Sequence, residues 1–149
     1  MASYNKFNNF TLDLLQGCHD FAGDTHAPTY KVMLTNTAPV ATNHLYGDIS
    51  ATEVANGFGY TTGGTAVAMG VAYVSGTTAQ VTPPSDTTFT ASGGSVGPFR
   101  YAVLYNATTT TPENKPLVAW WDYGSSVTLA DGETFTVDFD QINGIFTIA

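Results

Sequence analysis

Three features of the sequence predict a mainly β fold, a single-domain β-sandwich or jelly roll with one N-terminal amphipathic helix. Threonine occurs 24 times in 149 residues, and a branched Cβ suits a pleated strand. From Gly57 onward, short apolar runs alternate with Gly- and Pro-marked turns, the pattern of a sandwich or jelly roll. Hydrophobic residues make up 43% against 11% charged, enough for one core and unlike a charge-rich disordered chain. The length matches one domain, spanning residues 1–149.

The helix is predicted over residues 3–19. Phe7, Phe10, Leu14, Leu15 and Cys18 recur at helical spacing, and Asn8, Asn9, Asp13 and Gln16 take the other face. Asp20 to Pro28 reads as a polar loop, and Tyr30 to Thr35 as a strand. Ser50 and Glu53 fit a capping box that opens a helix of about one turn, stopped at Asn56-Gly57. Thr65 to Ser75 and Thr77 to Thr82 are expected to pair through Ser75-Gly76, followed by an edge strand over Thr87 to Ala91. Phe99 to Asn106 alternates, whereas Leu117 to Tyr123 is apolar on both faces, as in a buried strand. Between them, Ala107 to Pro116 reads as a long exposed hairpin loop. Val127 to Ala130 and Glu133 to Val137 are predicted to form a hairpin across Asp131-Gly132, because Asp-Gly supplies the positive φ angles of a tight turn. Asn143-Gly144 then leads into a last strand over Ile145 to Ile148.

Charge and cysteine content narrow the function. Four Lys and Arg against twelve Asp and Glu give a net charge of −8. The scattered Lys6, Lys31, Arg100 and Lys115 provide no cluster for phosphate, so neither a nucleic acid nor an anionic membrane is an expected partner. The single cysteine, Cys18, excludes an internal disulfide and a multi-cysteine zinc site. No basic, apolar leader opens the sequence, and no apolar run is long enough for a transmembrane helix.

Five constellations bear on chemistry. Cys18 and His19 are adjacent, unlike a catalytic Cys–His pair, and Cys18 reads as a buried small hydrophobe. His19, Asp20, Asp24 and His26 match no metal-ligand spacing and read as a polar loop. Asp138, Asp140, Asn143 and Gly144 loosely resemble a calcium loop without its full register or closing Glu, and read as strand carboxylates and a turn. Asp122, between Trp121 and Tyr123, reads as a structural carboxylate rather than a glycosidase acid. Trp120, Trp121, Tyr123, Tyr101 and Tyr105 lie on neighbouring strands, but alternation sends Trp120 and Trp121 to opposite faces, so core packing is the better reading. No enzyme, cofactor or metal is expected.

Four stretches carry a resemblance. They are LTNTAPVATN (34–43), GFGYTTGGT (57–65), TASGGSVGPFRYAVLYN (90–106) and WWDYGSSVTLADGETFTVDFD (120–140). With the N-terminal YNKFNNF, they resemble small virion structural proteins of tailed bacteriophages over nearly the whole chain. The resemblance implies a capsid decoration (cement) protein, made in the bacterial host cytoplasm and placed on the outer capsid surface. Its partners would be the major capsid protein and copies of itself, as dimers or trimers. A tail or head-fibre component, or a carbohydrate-binding adhesin, is the alternative. Phe7, Phe10, Leu14 and Tyr46 are the candidate interface residues, although covering one sheet of their own subunit is the better reading for the first three.

Overall fold

The computed structural model describes residues 4–22, 28–108 and 113–149. They form a mainly β protein with several antiparallel sheets. The strands are β1 (Tyr4–Lys6), β2 (Tyr30–Thr35), β3 (Thr65–Val67), β4 (Val71–Ser75), β5 (Thr78–Val81), β6 (Thr87–Thr90), β7 (Val96–Asn106), β8 (Leu117–Leu129), β9 (Thr134–Val137) and β10 (Phe146–Ile148). One short helix, α1 (Phe10–Leu15), follows β1, and two 3-10 turns cover Tyr46–Asp48 and Ser50–Thr52. The main sheet has the order β1-β8-β7-β2-β3, beside a three-stranded sheet β10-β5-β4 and a ribbon β6-β9.

The main sheet buries both faces, which is why β2 is apolar almost throughout. Alternation along β2 and β7 divides the core. Val32, Leu34, Ala102 and Leu104 pack with Phe10, Phe21, Val81, Phe89 and Phe139. Met33, Val103 and Tyr105 pack on the other side with Phe7, Ile49 and Leu117. Trp120 and Trp121 do separate as alternation requires: Trp120 joins the Phe7 cluster and Trp121 the Phe10 cluster.

The N-terminal helix is shorter than its spacing predicts. Tyr4–Lys6 is extended because it pairs with Ala119–Trp121 at the edge of β8. Phe7 and Phe10, placed on one helical face by sequence, enter opposite cores. The helix stops at Gly17, whose φ of +76° closes the end. There Cys18 N–H donates to Asp13 O at 2.8 Å and Gly17 N–H to Leu14 O at 3.1 Å, satisfying carbonyls of the last turn.

Three further expectations are corrected. Thr65 to Ser75 is two strands, because β3 pairs with β2 whereas β4 pairs with β5. The capping box is absent: Ser50 lies inside a 3-10 turn and the Glu53 carboxylate is taken by Tyr46, Tyr60 and Gly63. The hairpin across Asp131-Gly132 does not form. Val127 and Leu129 stay paired with Phe99 and Val96 of β7, while β9 pairs with β6. The Asp-Gly turn itself is present, with Glu133 N–H donating to Ala130 O at 2.9 Å. It acts as a corner: Gly132 N–H donates to Ala91 O, and Ala91 N–H to Glu133 O, each at 2.9 Å. Turn chemistry sets where the chain reverses, and Ala91 determines which strand it joins.

Candidate functional site

The four candidate interface residues divide between the two faces of the main sheet. Phe7 is fully buried, its ring centroid 4.5 Å from that of Trp120. Tyr46 is half-buried on the same side, stacked on Tyr105 at 4.7 Å. Phe10 is buried on the other side, with half-buried Leu14 packed against the same cluster.

Tyr46 belongs to a polar hub that sequence reasoning missed. Glu53 accepts hydrogen bonds from Tyr46 Oη and Tyr60 Oη at 2.6 Å each, and from Gly63 N–H at 2.7 Å. Tyr60 Oη also accepts from Leu34 N–H at 3.0 Å, and Tyr105 Oη donates to Gly63 O at 2.7 Å. Burial and the Glu53 carboxylate push both the Tyr46 and Tyr60 phenols above their ordinary pKa, fixing them as donors. Gly64, next to this hub, has a φ of +76°, and a Cβ there would collide with the Val32 carbonyl. Glu53→Gln replaces a charged acceptor by an amide with a single acceptor oxygen. We expect it to lower stability by about 2 kcal/mol in urea unfolding.

An aromatic-lined groove of about 410 Å³ lies between β8 and the β9–β10 segment. Its walls include Tyr4, Trp121, Tyr123, Phe135 and Phe139. Trp121 meets Tyr4 and Phe139 edge-on at 6.1 and 5.7 Å. Tyr123 meets Phe135 edge-on at 5.5 Å and remains 56% exposed. Residues i and i+2 of a strand share a face, so Trp121 and Tyr123 line the groove together. A bulge shapes its rim. Between the pairs Phe99–Val127 and Tyr101–Asp122, β7 advances two residues while β8 advances five. Arg100 spans the bulge and donates to Asp122 through Nε and Nη2 at 2.7 and 2.8 Å, a bidentate pair. That pair and the Gly124 N–H hold the Asp122 carboxyl below its usual range, so it stays ionised. The groove thus offers apolar ring faces beside a guanidinium, with Asp138 and Asp140 in its lining.

The remaining sequence candidates have structural roles. Asp140 accepts from the backbone N–H groups of Ile142 and Asn143 and from the Asn143 amide, and these bonds lower its pKa. It builds the turn into β10, with Gly144 N–H donating to Asp140 O. Cys18 is buried. Asp20 accepts from Ala22 N–H, while Asp24 and His26 lie outside the described residues. Among the described residues, the histidine and carboxylate atoms that converge are those of Asp13, His44 and Glu113, a set no sequence motif marks.

No protein-family model matches the chain, and no curated protein or solved structure matches it. Among the described residues, no helix is long and apolar enough to cross a membrane.

Proposed function

We propose that this chain is a structural virion protein that binds the outer capsid surface and strengthens contacts between capsid subunits. The four sequence stretches above support the reading, and the surface of α1 is the structural observation that carries it. Phe10 and Asp13 turn inward, yet Leu12 and Leu15 stand 52% and 82% exposed. The neighbouring cleft of about 250 Å³ is lined by Leu14 with the exposed Val71 and Ile148. An apolar strip of this kind suits a partner surface, and symmetric repetition on a shell multiplies a modest interface. A net charge of −8 suits a face turned away from packaged DNA. In this reading the β10-β5-β4 sheet and the β6-β9 ribbon are the second layer of a sandwich over the main sheet. Phe7 and Phe10 fill the subunit's own cores, so in this reading Leu12 and Leu15 join Leu14 as the anchors.

A second reading is favoured by the groove, whose Trp121 and Tyr123 rings beside Arg100 and Asp138 suit a sugar in a tail-fibre or adhesin role. Near-atomic imaging of the intact particle, paired with a glycan array, separates the two. Density on the capsid exterior with α1 against a capsid subunit, and no glycan binding, is the expected result. Density confined to a tail or fibre, with glycan binding lost in Tyr123→Ala, overturns the decoration reading.

A further inference from the structure

Asp13, His44 and Glu113 come from distant parts of the chain and meet at one point. The Asp13 carboxylate has no exposed surface, and its oxygens lie 3.0 and 3.1 Å from His44 Nε2. Glu113 Oε2 lies 3.8 Å from the same nitrogen, and the three donor atoms all fall within 4.8 Å of one another. We propose that these residues bind a divalent first-row transition ion, with Zn²⁺ as the reference case, that staples α1 to the loop before Tyr46 and to the segment leading into β8.

The geometry is near what such an ion needs. Tetrahedral zinc with bonds of about 2.0–2.2 Å holds its donors about 3.3 Å apart. The separations from His44 Nε2, 3.0 Å to Asp13 and 3.8 Å to Glu113, bracket that value, and the two carboxylates lie within 4.8 Å of each other. One imidazole with two carboxylates suits Zn²⁺ or Mn²⁺ better than Ca²⁺, which prefers oxygen alone. His44 and Glu113 are about one-quarter exposed, leaving a path for the ion and for a water as fourth ligand. Charge points the same way, because two carboxylates approach one imidazole and the buried one is desolvated.

The surroundings are built as a ligand's support. Asp48 accepts from the backbone N–H groups of His44 and Leu45 at 2.8 and 3.0 Å, and Leu117 N–H donates to His44 O at 2.8 Å. Asn9 Nδ2 lies 3.1 Å from His44 Nδ1. With the amide donating to Nδ1, the imidazole proton is on Nε2 and points at Asp13. An ion at Nε2 displaces that proton. The neutral ring then carries its proton on Nδ1 and donates it to Asn9 Oδ1 once the amide turns over. An outer hydrogen bond that fixes the tautomer is the usual companion of a metal-bound histidine.

The test uses the full chain, stripped with chelator and titrated with Zn²⁺ by calorimetry. Long-range ¹H–¹⁵N spectra follow the His44 ring in parallel. We expect one equivalent to bind, the ring proton to move from Nε2 to Nδ1, and the melting temperature to rise. Glu113→Gln and His44→Gln should each weaken binding by about tenfold or more. Equal affinity in the wild type and both variants overturns the proposal. So does an unchanged His44 tautomer at millimolar Zn²⁺, a readout that does not depend on either variant folding.

Discussion

Phe7→Ala will lower stability by about 3–5 kcal/mol in urea unfolding, the usual cost of emptying a buried aromatic site. Phe7 is 0% exposed and seals the second core against Met33, Ile49, Val103, Leu117 and the Trp120 ring. The cavity cannot collapse cheaply. Its floor is the main sheet, and Ile49 lies between two 3-10 turns tied to that sheet through Glu53, since Thr35 pairs with Glu53 in an isolated bridge. Leu15→Ala should change stability by less than about 0.5 kcal/mol, because it is a surface position. A loss under 1 kcal/mol for Phe7→Ala would mean that the N-terminal segment is not seated as described.

Acid will destabilise the protein through His19. This imidazole is 5% exposed, flanked by Phe10, Phe21 and Tyr30 at ring distances of 5.3 to 6.1 Å. Among the described residues, its Nε2 has no hydrogen-bond partner, and its Nδ1 lies 3.5 Å from Tyr30 Oη. Burial, followed by the charge of His44, pushes its pKa down from 6.5 to about 4. The unfolded chain takes up a proton below about pH 6.5, whereas the folded chain refuses it until about pH 4. Stability from this group is therefore complete above pH 6.5 and declines as the pH falls to 4. The loss approaches about 3 kcal/mol at 1.36 kcal/mol per unit. His19→Leu removes the titration, so its unfolding free energy should fall less over this range than that of the wild type. Parallel pH profiles for the two proteins would contradict the assignment.

Much of the strand content was legible because alternation and β-branching report directly on the backbone. Tyr30–Thr35 has the bounds its residues predict, and the opposed placement of Trp120 and Trp121 follows from period two alone. The N-terminal helix was misjudged because Phe7 and Phe10 fit helical spacing while serving two cores, a distinction only the sheet edge creates. The partner of β9 was illegible for a similar reason: Asp131-Gly132 dictates a turn, but not the choice between β8 and β6. At the level of sites, Trp121 and Tyr123 were visible as aromatic pairs, whereas the groove needed the bulge at Asp122 to open it. Asp13 and His44 carry no shared motif, because their meeting depends on the Leu45–Pro116 bridge and on where α1 ends.

The pairing of β1 with β8 joins the first described residues to a strand far later in the chain. Asn5 bonds to Trp120 O across 115 residues of sequence. On the ribosome, Tyr4–Lys6 emerges early but has no strand to join until Ala119–Trp121 has left the exit tunnel. The core around Phe7 stays incomplete through that interval, because Trp120 and Leu117 arrive with the same late strand. Closure of this edge of the main sheet therefore follows the making of β8, whatever its rate, since β1 has no partner in the sheet before Ala119–Trp121.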